Sequence, residues 1–195
     1  MGDIRLDKYL ADMGIGSRSE VKAFIRKGAV TVNENVVRSP DCKIAPESDE
    51  VCYNHKRVNY LKYEYYMLHK PSGCVSATVD QRHKTVLDYI DTRRKDLFPV
   101  GRLDCDTEGL LLITNDGELA HALLSPRRHV KKTYYARVRG VVTDADVEAF
   151  LRGLDIGDEK AALPAELTVL SSGDISEITV TLTEGRYHQV KRWSI

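Results

Sequence analysis

The chain has 195 residues, 42% of them hydrophobic and 30% charged, with 29 basic against 29 acidic side chains and so no formal net charge. That balance leaves room for one ordinary domain plus a small one and argues against a disordered polymer. No apolar run approaches the ~20 residues that span a bilayer, and Arg5, Asp7 and Lys8 stand where a signal peptide needs apolar residues, so the expected compartment is the cytoplasm.

Leu6, Tyr9, Leu10 and Met13 recur at helical spacing before Gly14 and Gly16 interrupt them, which predicts a short amphipathic helix. Ser17 followed by Glu20 has the pattern of a capping box. A second helix is expected from there to Gly28, with Val21, Phe24 and Ile25 as its apolar stripe. Arg18, Lys22 and Arg26 follow at four-residue steps beside that stripe and form a basic ridge. Physically, such a ridge is more often a solvated face than a nucleic-acid contact. Val30 and Val32 alternate, and the turn-like Asn33-Glu34-Asn35 before Val36-Val37 predicts a hairpin.

From Ser39 to about Lys62 the pattern weakens around Pro40, Pro46 and the acids Glu47, Asp49 and Glu50. This stretch reads as the end of a small module and a connection, with domains expected at 1–59 and 60–195. A strand through Tyr65, Tyr66, Met67 and Leu68 opens the second, and the Pro and Gly of Lys70-Pro71-Ser72-Gly73 require a turn. A loop with Arg82, His83 and Lys84 leads to a short helix around Val86 to Ile90.

Gly101-Arg102-Leu103-Asp104-Cys105-Asp106-Thr107-Glu108-Gly109 places an Arg and two Asp in a polar turn that runs into Leu110, Leu111, Leu112 and Ile113. A buried strand there would fix its own start and present an acid rigidly to a substrate. A solvated turn is the plainer reading. Beyond it, Asn115 or Asp116 can cap a helix carrying Leu119, Ala120, Leu123 and Leu124, which Pro126 ends.

Arg127, Arg128, Lys131, Lys132, Arg137 and Arg139 then follow with His129 and no acid between them. Such a cluster suits phosphates, or equally a charge-protected strand edge. A strand is expected over 132–138. Thr143 with Asp146 opens another helix, holding Val147, Phe150 and Leu151, that Gly153 ends. Ile178, Val180 and Leu182 alternate with threonines as in a half-buried strand. Strands and helices mix without βαβ regularity, so the expected class is α+β with a largely antiparallel sheet.

Cys42, Cys52, Cys74 and Cys105 show no paired Cys-x-x-Cys spacing, which gives no support to a zinc ribbon or dithiol site. Cys105 lies between the two acids, but no neighbouring His completes a thiolate-activating pair.

Gly101-Arg102-Leu103-Asp104 with Thr107, Gly109, Leu110 and Leu111 resembles the signature loop of RNA pseudouridine synthases. Lys70-Pro71-Ser72-Gly73, Lys132-Thr133-Tyr134 and Glu184-Gly185-Arg186-Tyr187-His188-Gln189-Val190-Lys191-Arg192 resemble the segments that accompany it, in the same order. Arg5-Leu6-Asp7, Ser17-Arg18, Gly28 and Val30-Thr31-Val32-Asn33 resemble the S4 RNA-binding module. Together they resemble the bacterial Rsu type, which modifies small-subunit ribosomal RNA.

The resemblance implies an isomerase that needs no metal or cofactor: a glycosidic carbon-nitrogen bond breaks, the base rotates, and the same sugar carbon joins a base carbon. It assigns the attacking or proton-accepting carboxylate to Asp104, a choice periodicity leaves open against Asp106. It gives the base-stacking tyrosine as Tyr134, with Tyr135 on the opposite strand face, and the cation that keeps the acid ionised as Lys191. RNA contacts are expected from Arg5, Arg18, Lys22, Arg26, Arg127, Arg128, Lys131 and Lys132, while Arg102 would fill the space left by the flipped nucleotide. The expected partner is ribosomal RNA, either free or in a partly assembled small subunit, met by a monomer.

In similar enzymes the last motif continues through a methionine into a helix and further strands; here Trp193-Ser194-Ile195 follows. The expectation is a shortened catalytic domain whose last helix is too short to hold itself in isolation. A binding protein that keeps the fold without turnover is therefore the alternative. A glycoside hydrolase using Asp104 and Asp106 is disfavoured, because acids on one side of a strand do not flank a bond.

Overall fold

A computed structural model describes residues 2–193. The chain forms two compact units, residues 1–117 and 118–195.

The first unit begins with β1 (Ile4–Arg5), α1 (Leu6–Asp12) and α2 (Arg18–Arg26). Ser17 and Glu20 form the expected capping box, which supplies partners for backbone N–H groups that a helix start leaves open. Next come β2 (Val30–Val32), β3 (Asn35–Val36), β4 (Lys43–Ile44), β5 (Val51–Tyr53) and β6 (Lys56–Arg57). The hairpin turn is Asn33-Glu34, both at positive φ, and Asn35 already belongs to the returning strand.

Strands run in the order β3-β2-β5-β6, and β1 pairs with β4. The stretch read as the end of the module and a connection therefore contains three short strands. At two or three residues each, they are too short to show a period of two. Leu6, Tyr9, Leu10, Val21, Ile25, Val30, Ile44 and Val51 form the core beneath them.

Asp7 is a charged member of that module, only 2% exposed. Arg5 donates to both its carboxylate oxygens, at 3.0 and 2.9 Å, and Lys22 lies 4.0 Å away. The Arg5 hydrogen bonds outweigh burial and hold the Asp7 carboxyl below the usual carboxylate range. A depressed value contributes stability that is present above the unfolded pKa and lost as pH falls through the folded one. The melting temperature should therefore fall below about pH 4, and Asp7→Asn should flatten that acid limb. An unchanged limb in the variant would remove Asp7 from the account.

The same unit continues with β7 (Tyr65–Lys70), a 3-10 turn at Val86–Tyr89, β8 (Phe98–Val100) and β9 (Gly109–Thr114). Both β7 and β8 pair antiparallel with the central β9. Cys74, Val86, Leu97, Leu111 and Ile113 form its core. The signature strand is half-buried rather than fully buried: Leu111 and Ile113 are 3% and 0% exposed, whereas Leu110 is 69% exposed. Successive side chains leave opposite faces of a strand, and Leu111 and Ile113 share the face that meets the core.

Helix α3 (Gly117–Leu124) leads into the second unit, followed by a 3-10 turn at Pro126–Arg128, β10 (Lys132–Arg139) and α4 (Asp144–Arg152). The Thr143 and Asp146 capping box forms as expected, and Gly153 ends α4 at φ 86. Then come β11 (Glu166–Ser171), β12 (Ile175–Leu182) and α5 (Gln189–Arg192). Central β12 lies between β10 and β11, and both pairings are antiparallel. Its inward residues Ile178, Val180 and Leu182 pack with Phe150, Leu167 and Trp193. Helices beside antiparallel sheets make this the α+β architecture expected from the sequence.

Candidate active site

Asp104 sits in the turn between β8 and β9, and the main chain on either side of it is held. Ser76 Oγ donates to the carbonyl of Leu103 at 2.8 Å, and Gly73 N donates to that of Cys105 at 2.8 Å. The Asp104 carbonyl itself accepts from Thr107 N at 3.1 Å, closing a tight turn. Leu103 packs against the core under the sheet.

Lys70, at the end of β7, is fully buried. Its Nζ donates to the carbonyls of Pro71, Cys105 and Thr107 at 3.1, 3.1 and 2.9 Å. Three acceptors match the three N–H bonds of an ammonium, so the buried charge is hydrogen-bonded throughout. The β7–β9 register places Lys70 opposite Gly109, directly beneath the turn.

The segments resembling separate motifs are thus joined: Lys70-Pro71-Ser72-Gly73 is the support on which Asp104 is mounted. Neither Lys70 nor Ser76 was singled out by sequence reasoning as a supporting residue. The available signal was a lone lysine closing an apolar strand just before a proline. Asp104 is half-buried, whereas Arg102 and Asp106 in the same loop are exposed.

In the small module, Arg5, Lys22 and Arg26 line one open hollow with Pro40 and Asp41. Arg18 is exposed at the first residue of α2, one turn before Lys22. The ridge therefore gathers as its spacing predicts, and Arg5 joins it. Part of that charge is already engaged by Asp7.

The second unit carries Tyr134, Lys191 and the remaining cations. Tyr134, paired with Val180 on β12, packs against the core, while neighbouring Tyr135 is 57% exposed, so the two do leave opposite faces. Arg127 and Arg128 stand exposed on the 3-10 turn, followed by exposed Lys131 and half-buried Lys132. The cluster is less purely basic than its sequence: Lys131 lies 3.7 Å from Glu166 and Arg137 lies 3.9 Å from Glu177. These acids come from other strands of the sheet, beyond the reach of a linear reading. Exposed pairs of this kind are worth little, so both cations can exchange partners readily.

Lys191 is exposed on α5, a single turn that tertiary contacts hold in place. Gln189 is buried, donating to Glu184 at 2.7 Å and accepting from Arg186 N at 2.9 Å. Arg186 and Arg192 converge on Asp158, at 3.4 and 2.6 Å, and Arg192 also donates to the Ile156 carbonyl. Hydrogen bonding from Arg192 is foremost in holding the Asp158 carboxyl low. Trp193 meets Phe150 edge-on with ring centroids 4.9 Å apart. A helix too short to hold itself in isolation is thus supported from outside, by this clamp and by the aromatic anchor.

Among the described residues, no group of three or more His, Cys, Asp or Glu is gathered to hold a metal ion. What the first unit offers is a half-buried carboxylate on a braced turn.

A small helical module with a basic hollow precedes a sheet with a braced carboxylate turn, and comparison with known proteins places this arrangement among RNA-modifying enzymes of the pseudouridine synthase class. Residues 64–194 match the RNA pseudouridylate synthase family and residues 4–51 the S4 domain, and the chain belongs to that synthase family. It is 42% identical to the uncharacterised RNA pseudouridine synthase YtzG of Bacillus subtilis (strain 168), over 97% of this chain and 80% of that one. It is 39% identical to ribosomal small subunit pseudouridine synthase A of Escherichia coli (strain K12), covering 97% and 81% of the two chains. Identity to ribosomal large subunit pseudouridine synthase B of Bacillus subtilis is 38%, over 96% of this chain and 78% of that one. A crystal structure of a pseudouridylate synthase aligns with a TM-score of 0.62 at 35% identity, covering 97% of this chain and 81% of the other.

Proposed function

We propose that the chain converts a uridine of small-subunit ribosomal RNA to pseudouridine in the cytoplasm, with Asp104 as the carboxylate that attacks the sugar or accepts its proton. The observation that carries this reading is the bracing of Asp104. Its neighbours' carbonyls are pinned by Ser76, Gly73 and Lys70, which pre-organises the acid for one approach geometry. Residues 1–59 serve as the S4-like RNA-binding domain and residues 60–195 as the catalytic domain.

The reaction is an isomerisation. The bond from the sugar carbon to the base nitrogen breaks, a bond from that carbon to a base carbon forms, the hydrogen on that base carbon leaves as a proton, and the freed base nitrogen takes up a proton, so substrate and product have the same composition. Lys191 is assigned as the catalytic cation, Tyr134 as the base-stacking tyrosine and Arg102 as the side chain that fills the vacated stack; these roles rest on the motifs that carry them. Extruding a paired base costs a few kcal/mol. Phosphate contacts from Arg5, Arg18, Lys22, Arg26, Arg127, Arg128, Lys131 and Lys132 supply it.

The test is release of tritium from ribosomal RNA labelled at the uracil carbon that loses its hydrogen. Release from small-subunit RNA supports the reading, and no release from either subunit's RNA refutes it. The relatives include enzymes named for each subunit at 39% and 38% identity, so release confined to large-subunit RNA would move the assignment there.

The basic ridge has its own readout. Replacing Arg18, Lys22 and Arg26 by Gln should weaken RNA binding and lower the slope of log affinity against log salt by about 2, at ~0.7 to 0.9 per lost phosphate contact. An unchanged slope removes the ridge from the footprint.

A further inference from the structure

Residues 58–64, which connect the S4-like module to the sheet bearing Asp104, are bonded on both sides. On the module side, Tyr9 donates to the Val58 carbonyl at 2.6 Å and its ring stacks on Tyr60 at 4.9 Å. Tyr60 donates to Asp12 at 3.2 Å, and burial with the Asp12 charge pushes that hydroxyl up to about 12, so it stays protonated as a donor. Leu61 N reaches Met13 Sδ at 3.5 Å.

On the sheet side, the Arg94 side chain is 3% exposed. It forks onto Asp96 at 2.8 and 2.7 Å and donates to the Leu61 carbonyl. Asn115, directly after β9, donates to the Lys62 carbonyl at 2.9 Å and accepts from Glu64 N at 2.9 Å. It also donates to Asp96 at 3.0 Å, so Asn115 and Arg94 share one carboxylate.

A second approach lies away from the connection. Gly14, between α1 and α2 at φ +68, passes so close to Arg93 that a side chain there would collide with its backbone carbonyl. A freely swinging module needs neither that fit nor a buried arginine spent on the linker's main chain.

We infer that this connection is a rigid splice, and that Arg94 and Asn115 are positioning residues holding the S4-like module at one orientation to the Asp104 turn, so that the module selects which uridine of the RNA is presented. The RNA-selecting half of this inference rests on the function proposed above; the splice does not. A carboxylate on a fixed mount and a basic hollow on a fixed module together form a gauge. A uridine is modified only where a phosphate contact lies at the matching distance.

Limited trypsin digestion of the full chain tests the splice, because Lys62 lies within it while Arg82 lies in an exposed loop of the same unit. The bond after Lys62 should be cut at least about tenfold more slowly than the bond after Arg82, since a protease needs the segment opened. Arg94→Met should remove that protection and leave cleavage after Arg82 unchanged. Asn115→Ala, a milder lesion, should do the same if Arg94→Met fails to fold.

Pseudouridine mapping then reads selection. Either variant should lower the ratio of modification at the preferred uridine to that at other uridines by at least about tenfold, with kcat retained on a short stem-loop too small to reach the module. Equal cleavage after Lys62 and Arg82 in the wild type overturns the splice, and an unchanged site ratio in a variant whose Lys62 has become labile overturns the gauge. A protected Lys62 in a protein that makes no pseudouridine supports the splice and faults the proposed activity instead.

Discussion

Asp104→Asn should lower tritium release from labelled ribosomal RNA by about 10⁴-fold, the scale of loss when a residue that takes part in bond making is removed. An amide has the shape of the carboxylate but is a poor nucleophile and a poor base, so the turn keeps its geometry while the chemistry stops. Bonds from Ser76, Thr107, Gly73 and Lys70 run to the carbonyls of Leu103, Asp104 and Cys105, which the substitution leaves in place. RNA affinity should therefore remain within about threefold of wild type, a difference under 1 kcal/mol. Asp106→Asn is the control, since Asp106 is exposed two residues along and should retain most of the turnover. Full activity in Asp104→Asn, with loss in Asp106→Asn, would transfer the role to the second acid.

Lys70→Met should destabilise the first unit and slow turnover, although the residue is given no part in the chemistry. Methionine fills nearly the same space as the lysine stem, so packing changes little. The loss is electrostatic. The carbonyls of Pro71, Cys105 and Thr107 lose a charged donor inside the protein.

Hydrogen bonds to a charged group are worth about 1.5 to 3 kcal/mol each. Relief of the buried ammonium's desolvation offsets part of the total. Cys105 also retains its bond from Gly73. The expected net loss is about 2 to 3 kcal/mol, read from a shift in urea midpoint with unchanged slope. Because the freed turn carries Asp104, kcat should fall further than KM changes. A variant as stable and as active as wild type would show that the turn holds itself.

Elements with a strong local signal were legible before any coordinates. Helix α2 has a capping box at one end and a ridge and stripe at the correct spacing, and α4 and β12 announce themselves as plainly. Missed elements share a physical reason. Strands β4 and β6 are two residues long, and β8 contains Pro99, which breaks a strand pattern and is tolerated because β8 pairs only with β9. Strand β11 stands at the edge of its sheet among the described residues, and its register shifts between Val169 and Ser171, which spoils the alternation.

The site divides in the same way. The Asp104 turn stood out as carboxylates before an apolar strand, but it was the resemblance of its motif that set it above the plainer reading of a solvated turn, whereas Lys70 was read only as part of a turn motif. A lysine is almost always a surface residue, and only tertiary structure shows this one wholly enclosed. The acids facing Lys131 and Arg137 were hidden because they arrive from distant parts of the chain.

The grip on the reactive turn passes through main-chain oxygens, atoms that every amino acid possesses. Side chains at 102 and 105 take no part in those bonds, so a change there, even one that alters how Arg102 meets the RNA, leaves the mount in place. New substrates could be explored by exchanging those two neighbours while the aspartate stays at its post. A scaffold that holds its reactive loop by the carbonyls beside the acid keeps its chemistry while its preferences drift.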